Sequence, residues 1–462
     1  MIAADSVLLT DLYQLTMLHS YWKRGMTAPA VFELFARKLP PGRGFLVAAG
    51  LEQLLDYLEG LRFGDEELAW VRGCGRFDPG FADWLAGLRF TGDVDALPEG
   101  TACFPDEPLV RVTAPLPEAQ LVETRLVNLI HFQTLIASKA ARSVLAAQGR
   151  ELVDFGLRRA HGAEAGLLAA RACWLAGFHA TATVLAEARF GIPAVGTMAH
   201  SYVLAHDDEG EAFRHFARDL PGSVVLLIDT WDTEAGAEIV VRIAPGLAAE
   251  GIRVRGVRLD SGDLGAHARA VRAILDAGGL CDTTIFASGD LDEWRVRDLV
   301  AAGAPIDAFG IGTRLETAAD RPYLDCAYKL EWYAGRARRK RSEGKATWPG
   351  AKQVWRRLGP DGRLAGDVVT LVGDRQDGEP LLAPAMRAGR RVPGLPTLAE
   401  ARAHTARELA RLPDGLRRLD EPAAYPVEIA PALRALAAEL DAAQLSSCRT
   451  AKSASRGDSS RA

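Results

Sequence analysis

No two of the chain's six cysteines form a CxxC, and none stands at zinc-finger spacing from histidines. Cys74, Cys103, Cys173, Cys281, Cys326 and Cys448 therefore read as scattered thiols of a reducing compartment, not as a disulfide framework. No uncharged apolar run approaches the roughly twenty residues a membrane-crossing helix needs. The opening MIAADSVLLTDLYQL lacks a basic stretch followed by an apolar one, so no secretory leader is expected and the chain reads as cytoplasmic. An excess of positive charge is missing too: 55 Lys and Arg against 60 Asp and Glu give a net charge of -5. That balance excludes a strongly basic nucleic-acid surface but leaves room for local basic clusters that hold small anions.

What is present is ordinary soluble-protein composition, 48% hydrophobic and 25% charged over 462 residues, enough for two or three domains. Residues 1–125 mix amphipathic helices such as LTDLYQLTMLHSYW with strands such as AVFELFARKLP, and predict an N-terminal α+β domain. From Glu118 a long helical pattern runs through EAQLVETRLVNLIHFQTLIASKAARSVLAAQ. Residues 126–330 predict a catalytic α/β domain, because from 151 onward short β-type runs alternate with helical stretches. Residues 331–445, which begin with the basic YAGRARRKRSEGK, predict a C-terminal segment packing on both other parts. Residues 446–462 are polar and predict a disordered tail.

In each βα unit the polar and glycine residues fall at the end of the strand. A barrel gathers such ends on one rim, whereas an open doubly wound sheet gathers only those near its switch point. The barrel is the better fit. The richest rim segment is VRLDSGDLG, which brings Arg258, Asp260, Ser261, Gly262 and Asp263 together after one strand. Arginine suits a carboxylate or phosphate, and the aspartates suit ribose hydroxyls or a hydrated magnesium ion. A capped turn with one surface ion pair would explain the same residues, since Ser261 and Gly262 resemble a helix N-cap. FASGDLD and FGIGTRL suggest a phosphate cradle lined by Gly289, Gly310, Gly312 and Thr313. In LIDTWDT, Asp229 and Asp232 serve ribose or magnesium, or else cap a helix.

In DFGLRRAHG the adjacent Arg158 and Arg159, placed on a strand, would face opposite sides, and Phe155 is either core or a stacking platform. His200, in GTMAHSYVLAH, follows a run that could end a strand. A histidine there is more often structural than catalytic. Metal binding is the weaker functional reading, because His206 is six residues on and no HxH or HExxH occurs. Beside phosphate turns and aspartates, a phosphoryl-accepting role fits better.

TDLYQLTM, FELFARKLP, NLIHFQTLIASKAAR, FGLRRAHG, GFHATATVLAEARFGIPAVGTMAHS, LIDTWDT, VRLDSGDL, FASGDLDE, FGIGTRL and KQVWR occur in this order. The series resembles the nicotinate phosphoribosyltransferases over residues 5–360. The resemblance implies an irregular α/β barrel with an N-terminal α+β domain completed by C-terminal segments, working as a homodimer with active sites across the interface. It implies transfer from 5-phosphoribosyl 1-diphosphate to nicotinate, with magnesium as cofactor and ATP as co-substrate, hydrolysed through a phosphohistidine at His200.

The resemblance places Tyr13 of the partner subunit and Phe155 on the two faces of the pyridine ring. Arg158, Ser201 and Arg258 would serve the carboxylate or nearby phosphates, and Thr181 would line the base pocket. Asp229, Asp260 and Asp290 would attend the ribose and magnesium, with Asp260 and Asp290 as metal ligands. The turns at Ser261–Gly262, Gly289 and 310–313 would hold the 5-phosphate. Many bacterial members read GTSNV where this chain has ATATV at 180–184. The related nicotinamide enzyme uses an aspartate in that loop, which Ala182 cannot replace, so the acid substrate is favoured. A nicotinamide-using enzyme and a non-catalytic ligand-binding homologue are the alternatives.

Overall fold

Six short apolar runs form an all-parallel sheet, as buried strands read in a sheet covered on both faces. In chain order they are β1 (Glu151–Asp154), β2 (Ala180–Thr181), β3 (Val225–Leu227), β4 (Gly256–Leu259), β5 (Thr284–Ala287) and β6 (Ala308–Ile311). Their spatial order is β2-β1-β6-β5-β4-β3. The coordinates are a computed structural model that describes residues 6–343 and 345–458. β2 and β3 stand at the two ends of that order, so the sheet is a half-barrel. One isolated parallel bridge, Thr181 to Ala194, extends the β2 edge. This is the expected irregular α/β barrel, open on one side.

The half-barrel belongs to a compact unit of residues 135–322 with 419–421. Helices Ala163–Ala176, Glu209–Asp219, Thr233–Ala249, Leu264–Ala277 and Glu293–Ala301 follow its strands. Four of these start on an aspartate whose carboxylate accepts from a first-turn backbone N–H: Asp208, Asp232, Asp263 and Asp292. These caps fix where each strand-to-helix turn ends, and so how much chain is left at the rim.

The other unit comprises residues 1–134, 323–418 and 422–462. In its seven-stranded sheet, strand Pro29–Ala36 pairs antiparallel with Pro108–Pro115 on one side and with Cys326–Tyr333 on the other. A second, four-stranded sheet holds Lys352–Leu358 and Leu364–Leu371. Chain from both sequence ends therefore builds this unit. Its boundaries lie at 134/135 and 322/323, against 125/126 and 330/331 expected from the sequence.

Local expectations differ at four places. The long helix from Glu118 is two helices, Leu116–Leu121 with proline in its first turn and Glu123–Ala147. Residues 154–162 do not continue a strand: β1 ends at Asp154, and Leu157–Arg159 is a single 3-10 turn. The opposite-face argument for Arg158 and Arg159 therefore does not apply. The run before His200 makes only the Ala194 bridge and is otherwise irregular. The last helix, Pro431–Asp458, continues through most of the expected tail, and residues 459–462 lie outside the described residues.

Candidate active site

The carboxyl ends of β1 and β3 to β6 deliver the polar residues that the sequence singled out. His200 opens the short helix His200–Leu204. Its Nδ1 lies 3.3 Å from the Thr230 hydroxyl. Its Nε2 stands 4.0 Å from Asp229 Oδ1 and 3.9 Å from Asp260 Oδ2, beyond hydrogen-bond length from both. The imidazole is 39% exposed whereas the Asp229 side chain is 1% exposed, so a half-open nitrogen faces a closed carboxylate.

Asp229 links two adjacent turns. Its Oδ2 accepts from the Asp260 backbone N–H at 2.8 Å and from the Ser261 hydroxyl at 2.7 Å. Its Oδ1 is buried and has no hydrogen-bond partner among the described residues. A buried acceptor left open in this way is normally satisfied by water, an ion or a ligand. Asp260 in turn accepts from Ser288 Oγ through Oδ1. Asp232 and Asp263, three positions after Asp229 and Asp260, are helix caps. The helix N-cap after β4 is therefore Asp263 and not Ser261 or Gly262, which leaves Ser261 free to hold Asp229.

Arg258 is largely buried, donates through Nη1 to the Thr197 hydroxyl at 2.7 Å and to the Met198 carbonyl at 3.2 Å, and lies 5.9 Å from the centre of the Phe155 ring. Burial pulls its guanidinium below the ordinary value; Asp260 and Asp229 oppose that pull and Arg158 adds to it. Arg258 Nε is buried without a partner among the described residues. Arg158 itself is exposed, as is Ser201. Thr181 is buried and donates to Asp154 Oδ2 at 2.7 Å, so its hydroxyl is already engaged.

The glycines divide into two kinds. Gly289 has φ +98°, and a Cβ there would sit 1.9 Å from the Asp260 carbonyl oxygen. Gly310, in contrast, lies within β6, and a Cβ would meet Phe155 Cδ2 at 2.8 Å. Gly312 meets the Phe155 carbonyl oxygen at 2.9 Å. Gly310 and Gly312 thus make room for Phe155, and of these three only Gly289 belongs to a cleft of about 710 Å³ that also includes Asp260, Ser261, Gly262, Asp290 and Arg314. Thr313 is exposed at the start of the four-residue helix Thr313–Glu316.

Asp290 adopts φ +47° and receives two parallel hydrogen bonds from Arg314, at 2.8 and 2.7 Å. The Arg314 bond holds its carboxyl below the usual range. Both Asp290 oxygens are therefore engaged, which does not suit the metal-ligand role expected of it. Arg314 and Arg295 supply the cleft's positive charge and were not singled out in the sequence, although Arg314 sits inside FGIGTRL. Tyr13 lies on helix Leu12–Lys23 of the other unit, about half exposed. Partial burial, then Glu123, pushes its hydroxyl up.

Fold and site define a class: an α/β half-barrel enzyme with its chemistry at the carboxyl ends of parallel strands. Comparison with known proteins narrows it. Residues 8–131, 150–335 and 373–437 match models of the nicotinate phosphoribosyltransferase N-terminal domain, of the nicotinate phosphoribosyltransferase family, and of its C-terminal domain. A nicotinate phosphoribosyltransferase of Mycobacterium tuberculosis is 50% identical over 424 residues, covering 91% of each chain. One from Bacillus subtilis is 39% identical over 381 residues, 80% of this chain and 77% of that one. The crystal structure of human nicotinic acid phosphoribosyltransferase superposes with a TM-score of 0.85 at 32% identity, covering 94% of this chain and 100% of that one. The chain belongs to the nicotinate phosphoribosyltransferase family.

Proposed function

We propose that this chain joins nicotinate to 5-phosphoribosyl 1-diphosphate, giving nicotinate mononucleotide and diphosphate in NAD biosynthesis. The observation that carries the proposal is the cluster of His200, Asp229 and Asp260 beside Arg258 and Phe155, at one end of the half-barrel. The pyridine nitrogen attacks C1 of the ribose as the C1–O bond to diphosphate breaks, so positive charge develops on the sugar. Asp229 and Asp260 place negative charge where it stabilises that charge. Arg258, stripped of much of its water, attracts the nicotinate carboxylate, and Phe155 supplies a flat apolar face for the ring.

The donor set suits a hydrated magnesium ion held mainly by substrate phosphates. Asp229 Oδ1 is a buried oxygen with no partner among the described residues, and Asp260 lies beside it. Those two carboxylates would hold the ion in place of the expected pair Asp260 and Asp290. Bound there, the ion would neutralise charge on the leaving diphosphate. Among the described residues no group of three or more His, Cys, Asp or Glu side chains is placed to hold a metal without substrate.

ATP turnover runs through His200. If Nδ1–H donates to Thr230, Nε2 keeps its lone pair for the γ-phosphorus. The P–O bond to ADP breaks as the P–N bond forms, and water later cleaves the P–N bond to release phosphate. We further propose a cytoplasmic homodimer in which Tyr13 of the partner subunit closes the base site. With ATP labelled in its γ-phosphate, the native protein should take up acid-labile label and His200→Ala should take up none; labelling of that variant would overturn the assignment. With both bases competing for 5-phosphoribosyl 1-diphosphate, nicotinate should be consumed first, and a preference for nicotinamide would refute the substrate.

A further inference from the structure

Behind Phe155 two buried carboxyl groups, those of Asp154 and Glu316, both pack on the Gly156 backbone. Asp154, the last residue of β1, is 0% exposed, and Glu316, the last residue of Thr313–Glu316, is 2% exposed. Asp154 accepts from the Gly156 N–H at 2.9 Å through Oδ1 and from the Thr181 hydroxyl at 2.7 Å through Oδ2. Neither Glu316 oxygen receives a donor from any described residue. Two ionised carboxylates cannot share such a space, since each would be a buried acceptor facing another acceptor. A proton on Glu316, donated to Asp154, removes both the repulsion and the unsatisfied oxygens. Burial, then the Asp154 charge, pushes the Glu316 carboxyl up to about 10, and burial also raises Asp154. The third titratable group against the pair is the Cys173 thiol, pushed well up by burial and then by both carboxyls, and so also neutral.

The pair sits at a junction of three rim turns. A Cβ on Gly156 would lie 1.7 Å from Glu316 Cγ, so the Phe155–Gly156 backbone rests directly on the Glu316 side chain. Asp154 holds the same turn through Gly156, and it holds the β2 turn through Thr181, whose hydroxyl accepts from the Thr183 N–H at 3.0 Å.

We propose that Glu316 and Asp154 share one proton and together position Phe155 and the Leu157–Arg159 turn for the base. Glu316 is a positioning residue: it reaches the base only through Phe155. The proposal rests on the nicotinate-transfer reading for its kinetic consequence, while the shared proton can be read without turnover. An infrared difference spectrum of native protein minus Glu316→Gln, near pH 8, should show a protonated-carboxyl band that the variant lacks. Absence of that band overturns the shared proton whether or not the protein transfers phosphoribosyl groups.

Kinetics test the positioning. Glu316→Ala should raise KM for nicotinate about 10-fold with kcat within about 2-fold. Glu316→Gln keeps an N–H for Asp154 and should hold KM within about 2-fold of the native value. KM of the native protein should climb as the pH passes about 10, and that of Glu316→Gln should stay flat. An unchanged KM in the alanine variant, or a glutamine variant that follows the native pH curve, overturns the proposal. If the alanine variant does not fold, the glutamine variant and the pH profile decide.

Discussion

Gly310→Ala separates the two jobs that a rim glycine can do. A methyl group at 310 would lie 2.8 Å from Phe155 Cδ2, 2.9 Å from Cε2 and 3.0 Å from Phe286 Cε1. Ordinary contact begins near 3.4 Å, so the Phe155 ring must retreat by 3.4 minus 2.8, about 0.6 Å. Retreat is constrained by the neighbouring Phe286 ring, 5.4 Å away between ring centres and itself touched by the methyl, and by the Arg258 guanidinium. Overpacking of this kind costs the fold about 1–3 kcal/mol. A ring displaced from the base loses much of a stacking contact worth roughly 0.5–1.5 kcal/mol, which corresponds to about a 2- to 10-fold rise in KM for nicotinate. KM for 5-phosphoribosyl 1-diphosphate should move by less than about 2-fold, because neither ring the methyl meets, Phe155 or Phe286, lines the phosphate cleft. Steady-state kinetics with each substrate varied in turn, alongside a melting curve, measures both effects. A variant that melts lower yet keeps its nicotinate KM would show that Phe155 does not face the base. A selective rise in the phosphate-substrate KM would return Gly310 to the cradle.

Gly289→Ala places a Cβ 1.9 Å from a backbone oxygen at φ +98°, a clash that no rotamer relieves. Displacing Asp260 from His200 should lower kcat/KM by about 100-fold in a protein that still shows native circular dichroism; a loss under about 3-fold would contradict it. Arg356→Ala removes a fully buried guanidinium that bonds Asp367 at 2.7 Å, Glu408 at 2.6 Å and the Ala102 carbonyl at 2.7 Å. Two buried carboxylates lose their partner, at about 3–5 kcal/mol, so Tm should fall by on the order of 10 °C, and a fall within about 2 °C would be inconsistent with the network. Glu209 is pushed up to about 7 by burial, then by Asp208, Asp229 and Asp232. A carboxyl raised on folding contributes stability present below its ordinary value of 4.5 and lost as the pH rises through about 7. Allowing for water access, about 1 kcal/mol should disappear between pH 5 and 8 in the native protein and not in Glu209→Gln. Parallel Tm–pH curves would remove Glu209 from the account.

Periodicity carried the alternation of parallel strands and helices, which write long, regular patterns, and the polar strand ends favoured a barrel over an open sheet. Residue types at the strand ends carried most of the rim. Three things were hidden for physical reasons. A one-turn 3-10 helix at Leu157–Arg159 has no period to read, so the two arginines were placed on a strand that stops at Asp154. The partners of Gly310 and Gly312 come from the Phe155 turn, more than 150 positions away, so their glycines looked like phosphate contacts. Glu316 lies six residues beyond Gly310, and nothing in its local sequence marks it before the fold buries it against Gly156.

The aspartates show how one residue type is sorted by place. After β3 and β4 the spacing is the same, Asp229 with Asp232 and Asp260 with Asp263. In each pair the later member caps the next helix, accepting from first-turn N–H groups that have no intrahelical partner. The earlier member then stands where the strand has just ended and no helix has begun, with its carboxylate over the rim. At β5 the cap is Asp292, only two residues after Asp290, and Asp290 sits at positive φ. That backbone turns its carboxylate to Arg314, away from the arrangement of Asp229 and Asp260. Two rim carboxylates, not three, therefore converge on His200. The spacing of the caps decides which aspartates remain for chemistry.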